Sequence, residues 1–471
     1  FLPITLFIYF YLSKKKLVNL STGFLAFASL FFYSWWNIFY LPLILISVSI
    51  NYLVSLLITK SKLSKKTLLI SGIIFNISLL SYFKYTDFFL QNFNVLFNSD
   101  YSLLSITLPL AISFFTFQQI AYLADSYKGQ VSDRSFLNYI VFVTFFPQLI
   151  AGPIVHHKEM MPQFTKISNK VLSYKNIYLG VFIFSMGLFK KVVIADTFAI
   201  WAINGFDVLD KLHLIEAWAT SLSYTFQLYF DFSGYTDMAI GAALLFNIKL
   251  PLNFNSPYKS TNIRDFWRRW HITLSRFLRD YIYIPMGGNK KGNFRLYGNL
   301  LTTFLIGGLW HGAGWTFILW GLLHGFAIII HRTWCVLGLS LNKYLAWFIT
   351  FNFINFSWIF FRAESFDDAI KVIRGMLGFS GIVSPIFFKS FIDLLNYEEI
   401  KFGDVYSNFN SDSEISIWVL MAFIACLFFK NSNQIIDTDT LSNKKIVLIV
   451  FMFSISLMHF NKNIDFIYFN F

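Results

Sequence analysis

The stretch Ile38-Phe-Tyr-Leu-Pro-Leu-Ile-Leu-Ile-Ser-Val-Ser-Ile-Asn-Tyr-Leu-Val-Ser-Leu-Leu-Ile-Thr59 carries no charged side chain, and the basic cluster Lys60-Ser-Lys-Leu-Ser-Lys-Lys66 follows it at once. An α-helix crosses the hydrocarbon core of a bilayer in about 20 mainly apolar residues, and lysines collect where such a helix emerges. The stretch is therefore predicted to be a transmembrane helix. Comparable runs occupy residues 17–36, 67–85, 104–124, 135–152, 176–200, 216–246, 297–311, 314–332, 344–361, 415–429 and 445–460. Together they make about a dozen candidate spans, some short enough to be re-entrant and one, 216–246, long enough to be broken or tilted. Phe1–Leu12 is apolar but short and is followed, not preceded, by Lys14, Lys15 and Lys16. That order is the reverse of a secretory signal, so the segment is expected to be the end of a first span whose beginning lies outside this chain.

Composition leads to the same class. Of 471 residues, 56% are hydrophobic, 21% aromatic and 13% charged, against about a quarter charged in soluble domains. So few charges cannot coat the surface of a soluble protein of this length, and so many aromatics exclude a disordered chain. Two cysteines, Cys335 and Cys426, exclude a disulfide scaffold and a cysteine-based metal site. Cys426 sits in an apolar run and is expected to be a packed thiol.

The formal charge is +13, and in a membrane protein basic loops report orientation first. Clusters fall at Lys14–Lys16, Lys60–Lys66, Lys128–Arg134, Lys190–Lys191 and Arg264–Arg295. Two candidate spans separate each of the first three from the next, so parity places all three on one face, taken as cytoplasmic, with the N-terminus outside. The segment 264–281 has large apolar side chains at 266, 267, 270, 274, 277, 278 and 281, with Arg264, Arg268, Arg269, Arg276 and Arg279 opposite. This predicts an amphipathic helix lying in the membrane interface. Its arginines either meet lipid headgroups or bind an anionic cosubstrate, since guanidinium offers a fork to phosphate. Gly-Gly-Asn-Lys-Lys-Gly at 287–292 extends the basic surface as a turn and lacks P-loop spacing. A nucleic-acid partner is disfavoured, because the basic residues are spread over membrane loops.

Ionisable groups inside apolar segments are costly and mark candidate sites. His311 lies in Leu309-Trp-His-Gly-Ala-Gly-Trp315, between Gly307, Gly308 and Gly312, Gly314. Those glycines let a ligand or a second helix reach the imidazole. His271 sits on the edge of the stripe with Trp267, Leu274 and Leu278, either facing the same cavity or packing. His324 is thirteen residues beyond His311 and would not share its face on one straight helix. His156 and His157 are adjacent and point apart, with nothing nearby to complete a metal site. Asp231 and Asp237 lie among aromatics in Gln227–Gly241. Asp231 is expected to pair with an arginine of the 264–279 segment; Asp237 is left open. Serine-hydrolase, zinc-protease and dinucleotide signatures are missing from the sequence.

These residues fall in longer motifs: Asp231-Phe-Ser-Gly-Tyr-Thr-Asp-Met-Ala-Ile-Gly, Asn253-Phe-Asn-Ser-Pro-Tyr, Asp265-Phe-Trp-Arg-Arg-Trp-His-Ile-Thr-Leu-Ser, Arg279-Asp-Tyr-Ile-Tyr-Ile-Pro-Met-Gly-Gly-Asn and Leu309-Trp-His-Gly-Ala. Outside them lie Ile112-Ser-Phe-Phe-Thr-Phe-Gln-Gln, Phe146-Pro-Gln-Leu-Ile-Ala-Gly-Pro-Ile and Phe466-Ile-Tyr-Phe-Asn-Phe. The set resembles the membrane-bound O-acyltransferases, in particular the bacterial branch with the alginate and peptidoglycan O-acetyltransferase membrane subunits. The related teichoic-acid D-alanyl transferases share much of it, but Ile-Pro-Met-Gly-Gly-Asn-Lys-Lys-Gly is more like the acetyltransferase branch. Residues 380–413 match nothing in it.

The resemblance implies an all-α polytopic protein, one domain over 1–471, with a ring of about a dozen spans around a central tunnel, flanked by re-entrant and interfacial helices. Its catalytic core would be 227–325. It implies His311 and His271 as catalytic histidines, with Asp231, Asp237 and His324 supporting or orienting them. Acetyl-CoA would be the donor on the cytoplasmic side of a bacterial inner membrane, its phosphates near Arg268, Arg269, Arg276, Lys290 or Lys291, with no bound cofactor and no metal. The acetyl group would pass to a separate extracytoplasmic SGNH-type transferase that decorates a polysaccharide. A neutral imidazole can take the proton of an acceptor hydroxyl as it attacks the thioester, or can itself be acetylated. Two other readings stay open: acyl transfer from a carrier-protein thioester, and a transporter or flippase with a His/Asp relay, for which no inverted repeat is visible.

Overall fold

The computed structural model describes residues 1–131, 133–150, 152–386, 389, 400–409, 413–437, 443–460 and 467. In chain order the helices are α1 (Leu2–Lys14), α2 (Val18–Trp36), α3 (Leu41–Lys60), α4 (Lys65–Lys84), α5 (Thr86–Phe97), α6 (Ile112–Tyr127), α7 (Phe136–Thr144), α8 (Phe146–Leu149) and α9 (His157–Thr165). They continue as α10 (Tyr174–Phe189), α11 (Asp196–Ile203), α12 (Leu214–Leu245), α13 (Ile263–Arg269), α14 (Ile272–Leu278), α15 (Gly292–His311), α16 (Trp315–Val336), α17 (Lys343–Arg362) and α18 (Phe366–Met376). Helices Glu414–Phe428, Ser432–Asp437 and Asn443–Met458 follow. Within the unplaced stretch 380–413, strands Ile382–Ser384 and Ile400–Phe402 pair in parallel. Of the terminal motif beginning at Phe466, only Ile467 lies within the described residues.

Five helical segments are long and apolar enough to cross a membrane among the described residues: Ile38–Lys60, Lys65–Lys84, Tyr174–Val208, Trp315–Val336 and Lys343–Arg362. Their start signals are local: Ser64 accepts from the Thr67 amide to cap α4, and Asn342 from the Tyr344 amide to cap α17. Large apolar side chains such as Phe7, Phe27, Ile46, Ile74 and Ile330 point outward, as a lipid-facing surface requires.

Several predicted elements differ in detail. The 216–246 segment is neither broken nor kinked into two; α12 is one 32-residue helix, and most of its side chains are buried. The predicted span 135–152 breaks at Phe145, before Pro147, into α7 and α8. In 104–124 the helix begins only at Ile112. The segment 264–281 is not one interfacial helix. His271 takes a left-handed conformation (φ 41°) and splits it into α13 and α14. Phe266, Trp270, Leu274 and Phe277 are each at most 2% exposed, so its apolar stripe meets protein and not lipid.

Helix packing brings the candidate residues together through glycine. Side chains at Gly187 of α10 and Gly234 of α12 would collide with each other's carbonyl oxygens, at 2.5 and 2.7 Å. Likewise a Cβ on Gly321 of α16 would sit 2.5 Å from the Phe304 carbonyl of α15. Without a hydrophobic driving force between helices in lipid, such small-residue contacts let backbones approach closely. The α15–α16 contact sets the two walls of the site described next.

Candidate active site

His311 closes the last turn of α15 and is 2% exposed. The helix stops there because Gly312 turns the chain into an extended conformation (φ −162°, ψ 152°). Around the imidazole stand the rings of Trp310 (4.8 Å between centroids), Phe361 (5.0 Å), Trp320 (5.2 Å) and His271 (6.4 Å). The two histidines predicted to be catalytic, forty residues apart in the chain, thus share one aromatic chamber.

His271 is fully buried and held by Asn253, whose Oδ1 lies 3.0 Å from His271 Nδ1. That oxygen also accepts from the Thr273 amide (3.3 Å) and hydroxyl (2.8 Å). A backbone amide can only donate, which fixes the orientation of the Asn253 side chain. It follows that His271 Nδ1 carries the proton and Nε2 is the basic nitrogen. Thr273 Oγ1 in turn accepts from the Ile154 amide (3.0 Å), so the Phe146–Ile154 motif supports the same histidine. Ser113, in the Ile112 motif, accepts from Trp310 Nε1 through its carbonyl (3.5 Å).

A cavity of about 900 Å³ reaches His311. Along α15 it is lined by Leu296, Leu300, Thr303, Gly307 and His311, one face of the helix over fifteen residues, or about 22 Å at 1.5 Å per residue. Trp267, Leu274, Leu278 and Trp320 complete the apolar walls near the imidazole. Five arginines also line it: Arg264, Arg268, Arg276, Arg279 and Arg332. Arg332 lies twelve residues along α16 from Trp320, about 18 Å toward the other end. Arg276 is held bidentately by Glu159 (2.8 and 2.9 Å) and Arg279 by Asp280 (2.7 Å), while Arg264, Arg268 and Arg332 have no carboxylate partner among the described residues. Of the arginines and lysines predicted to hold an anion, Arg268 and Arg276 reach the cavity. Arg269 instead pairs with Asp265 (2.9 Å) and donates to the Asn255 carbonyl. Lys290 and Lys291 lie beyond the lining, where their neighbour Asn289 takes the place.

Tyr281 sits between the lining residues Arg279 and Tyr283, and Lys128 lies over its ring at 5.3 Å. The turn that carries Arg279 therefore packs against the Lys128 end of α6. Tyr281 also donates to Asp125 (2.9 Å) and meets His156 Nδ1 at 2.9 Å; burial and the adjacent carboxylate raise its pKa. His157 points the other way, against Tyr122 and Phe142, and burial lowers its pKa to about 4. No group of three metal-binding side chains occurs among the described residues.

His324 does not enter the chamber. Its Nδ1 accepts from Trp267 Nε1 (3.2 Å) and its Nε2 meets Ser357 Oγ (3.1 Å), so it orients a wall residue. The two aspartates lie farther off. Asp231 does not pair with an arginine of 264–279; Lys191 reaches it at 3.0 Å and also meets Asp196 at 2.6 Å. The Ile467 amide donates to Asp231 as well (3.0 Å). Asp237 pairs with Lys190 (2.6 Å) and accepts from Ser432 (2.6 Å). The Lys190–Lys191 cluster is thus the aspartates' counter-charge. A π turn over Lys190–Ala195 carries both lysines where α10 crosses α12. Cys426 is buried, as expected, and Cys335 lines the cavity.

Sequence reading missed Arg332, at the last position of the predicted span 314–332, and the role of Asn253, whose motif was visible without its partner. Chemically, the arrangement suits a ligand with an anionic head held by the arginines and a reactive group at the far end beside His311.

Comparison with known proteins identifies the family. Residues 4–363 match the model of "MBOAT, membrane-bound O-acyltransferase family". The chain is 50% identical to the peptidoglycan O-acetyltransferase of Helicobacter pylori, over 95% of this chain and 91% of that protein. It is 40% identical to "Probable alginate O-acetylase AlgI" of Pseudomonas putida, over 80% of this chain and 78% of that protein. With the teichoic acid D-alanyltransferase of Bacillus subtilis the identity is 28%, over 55% of this chain and 69% of that protein.

Proposed function

Because the chain belongs to the membrane-bound O-acyltransferase family and is a multi-pass membrane O-acyltransferase, we propose that it moves acetyl groups from cytoplasmic acetyl-CoA toward an extracytoplasmic polysaccharide, with His311 as the catalytic base. The observation that carries this is the single cavity joining unpaired arginines at one end to a buried imidazole at the other. Acetyl-CoA has the matching shape: a phosphorylated nucleotide, a slender arm of about the cavity's length and a small thioester. Arg264, Arg268 and Arg332 hold its phosphates, since charge-assisted hydrogen bonds to phosphate are among the stronger ones. The apolar walls exclude water from the thioester. The fold in this reading is a ring of about a dozen spans around the cavity, in a bacterial inner membrane.

The reaction is an acyl transfer. An acceptor hydroxyl oxygen attacks the thioester carbonyl carbon while its proton moves to the imidazole of His311. The C–S bond then breaks, and the proton passes to the leaving thiolate, giving CoA thiol and an O-acetyl ester. His271 lies beside His311 with Nε2 as its basic nitrogen; it orients the acceptor or relays the proton. The high identity to a peptidoglycan O-acetyltransferase supports peptidoglycan as the final acceptor, reached through a separate extracytoplasmic transferase of the SGNH type. Alginate-like exopolysaccharide is the second reading, supported by the 40% identical relatives. The D-alanyl reading has less support, since that relative matches little more than half of the chain.

The test is His311→Ala. General-base removal costs about 10²- to 10⁴-fold, so base-labile acetate on the cell-wall polymer should fall to the background of a deletion strain, with the variant present in the membrane at wild-type level. Retained acetylation would overturn the assignment.

A further inference from the structure

Helix α15 ends inside the protein, and its C-terminus raises a question of accounting. The last four carbonyls of an α-helix have no partner within it. The common remedy is a left-handed glycine just past the end, which folds amides back onto those carbonyls. Gly312 does not supply it: its conformation is extended, and its amide returns only to the Gly308 carbonyl, at 3.3 Å. The next three carbonyls are met from elsewhere. Tyr85 donates its hydroxyl to the Leu309 carbonyl (2.6 Å), and the Lys84 ammonium donates to the Trp310 carbonyl (2.5 Å) and the His311 carbonyl (3.3 Å). Lys84 also reaches Ser113 Oγ at 3.5 Å and lies 5.9 Å from the Trp310 ring.

Two consecutive residues at the junction of α4 and α5 thus hold three consecutive carbonyls more than 220 positions away. Lys84 has no carboxylate partner among the described salt bridges. A part-buried ammonium beside neutral acceptors is costly. The negative end of a helix dipole offsets part of that cost and favours a cation there. A simpler stitch between two helices would need no charge.

We propose that Lys84 and Tyr85 are positioning residues for acyl transfer, clamping the terminal turn of α15 so that the His311 imidazole is held at the end of the donor cavity. This rests on the assignment of His311 as the catalytic base. Lys84 and Tyr85 bind the backbone of the turn that carries the imidazole and lie outside the cavity lining. The clamp therefore governs the chemical step and leaves donor binding to the arginines.

The experiment measures release of CoA thiol from acetyl-CoA by inside-out membrane vesicles that contain the full chain and enclose the extracytoplasmic transferase and its acceptor polysaccharide. Misplacing a catalytic group by about 1 Å can cost about 100-fold. Lys84→Met should lower kcat about 10- to 100-fold with KM for acetyl-CoA within about twofold. Lys84→Arg, which keeps a cationic donor, should recover part of that loss. Tyr85→Phe, which removes one hydroxyl and no ring, should lower kcat several-fold without shifting the melting temperature in detergent. It decides the matter if Lys84→Met does not fold. In a Tyr85→Phe background Lys84→Met should lower kcat by less than the product of the two single losses, because residues acting through one group are not additive. Wild-type kcat in both Lys84→Met and Tyr85→Phe, a loss confined to KM, or an additive loss in the double variant overturns the clamp. Wild-type turnover in His311→Ala alone would instead refute the catalytic assignment on which it rests.

Discussion

Two polar regions lie close together inside this protein and are treated in opposite ways. Where α10 crosses α12, Asp231 and Asp237 are answered by Lys191 and Lys190 at 3.0 and 2.6 Å, with Asp196 and Ser432 completing the set. At the end of α15, His311 borders a cavity of about 900 Å³. Asn253 touches both regions, holding His271 on one side and, with Asp237, lining a small pocket on the other. The first region pairs its charges internally and has little room beside it. The second keeps an imidazole at the end of open space that leads to arginines. Buried charge that is paired joins helices; a buried titratable ring facing a cavity is placed to meet a substrate.

That contrast can be broken by substitution. Removing one partner of a buried ion pair leaves the other charge stranded at a cost of about 3–5 kcal/mol. Lys191→Met should therefore cause the largest loss of stability, read as a lower melting temperature in detergent and reduced yield in the membrane. A variant with wild-type melting and lost turnover would move Lys191 from the structural region to the catalytic one. At the cavity the effect should fall on binding. A hydrogen bond to a charged group contributes about 1.5–3 kcal/mol, so Arg268→Ala or Arg332→Ala should raise KM for acetyl-CoA about tenfold or more with little change in melting. Arg269→Ala is the sharpening control, because that guanidinium is engaged by Asp265 and Asn255; its KM should stay within about twofold of wild type. The smallest effect uses the native thiols. Cys335 lines the cavity and is exposed, whereas Cys426 is buried. A maleimide should modify Cys335 alone, and CoA at twice its Kd should slow it about threefold, the occupancy expected for one site. Unchanged labelling would place the donor elsewhere.

How much of this was legible in the chain differs from residue to residue. His311 stood out because an imidazole flanked by glycines in an apolar run is costly. His271 stood out less, and its decisive partner, Asn253, was visible only as part of a motif. A hydrogen bond between side chains eighteen residues apart leaves no period in the sequence. Asp231 was recognised as needing a counter-charge, which was sought among the arginines of 264–279, while Lys191 supplies it. Lys190 and Lys191 stood in the sequence only as a basic cluster, and only the π turn and the glycine contacts of α10 with α12 bring them to the aspartates. Arg332 was hidden in the same way. The broken helix at His271 was missed because the periodicity of 264–281 continues across the break, while the left-handed residue redirects the chain.

What the sequence by itself determined is the solvent and the helical class. Uncharged runs of about 20 residues with basic flanks have no other stable outcome, because each backbone group in lipid must be satisfied within its own helix. The motifs, through resemblance, also named the family. Only the tertiary structure decided which buried charge is neutralised and which histidine faces a cavity. The same is true of the two residues at the end of α4 that hold the last turn of α15. Those outcomes depend on which carbonyl, guanidinium or carboxylate arrives within about 3 Å, and distances between helices hundreds of residues apart are set by packing and not by local pattern.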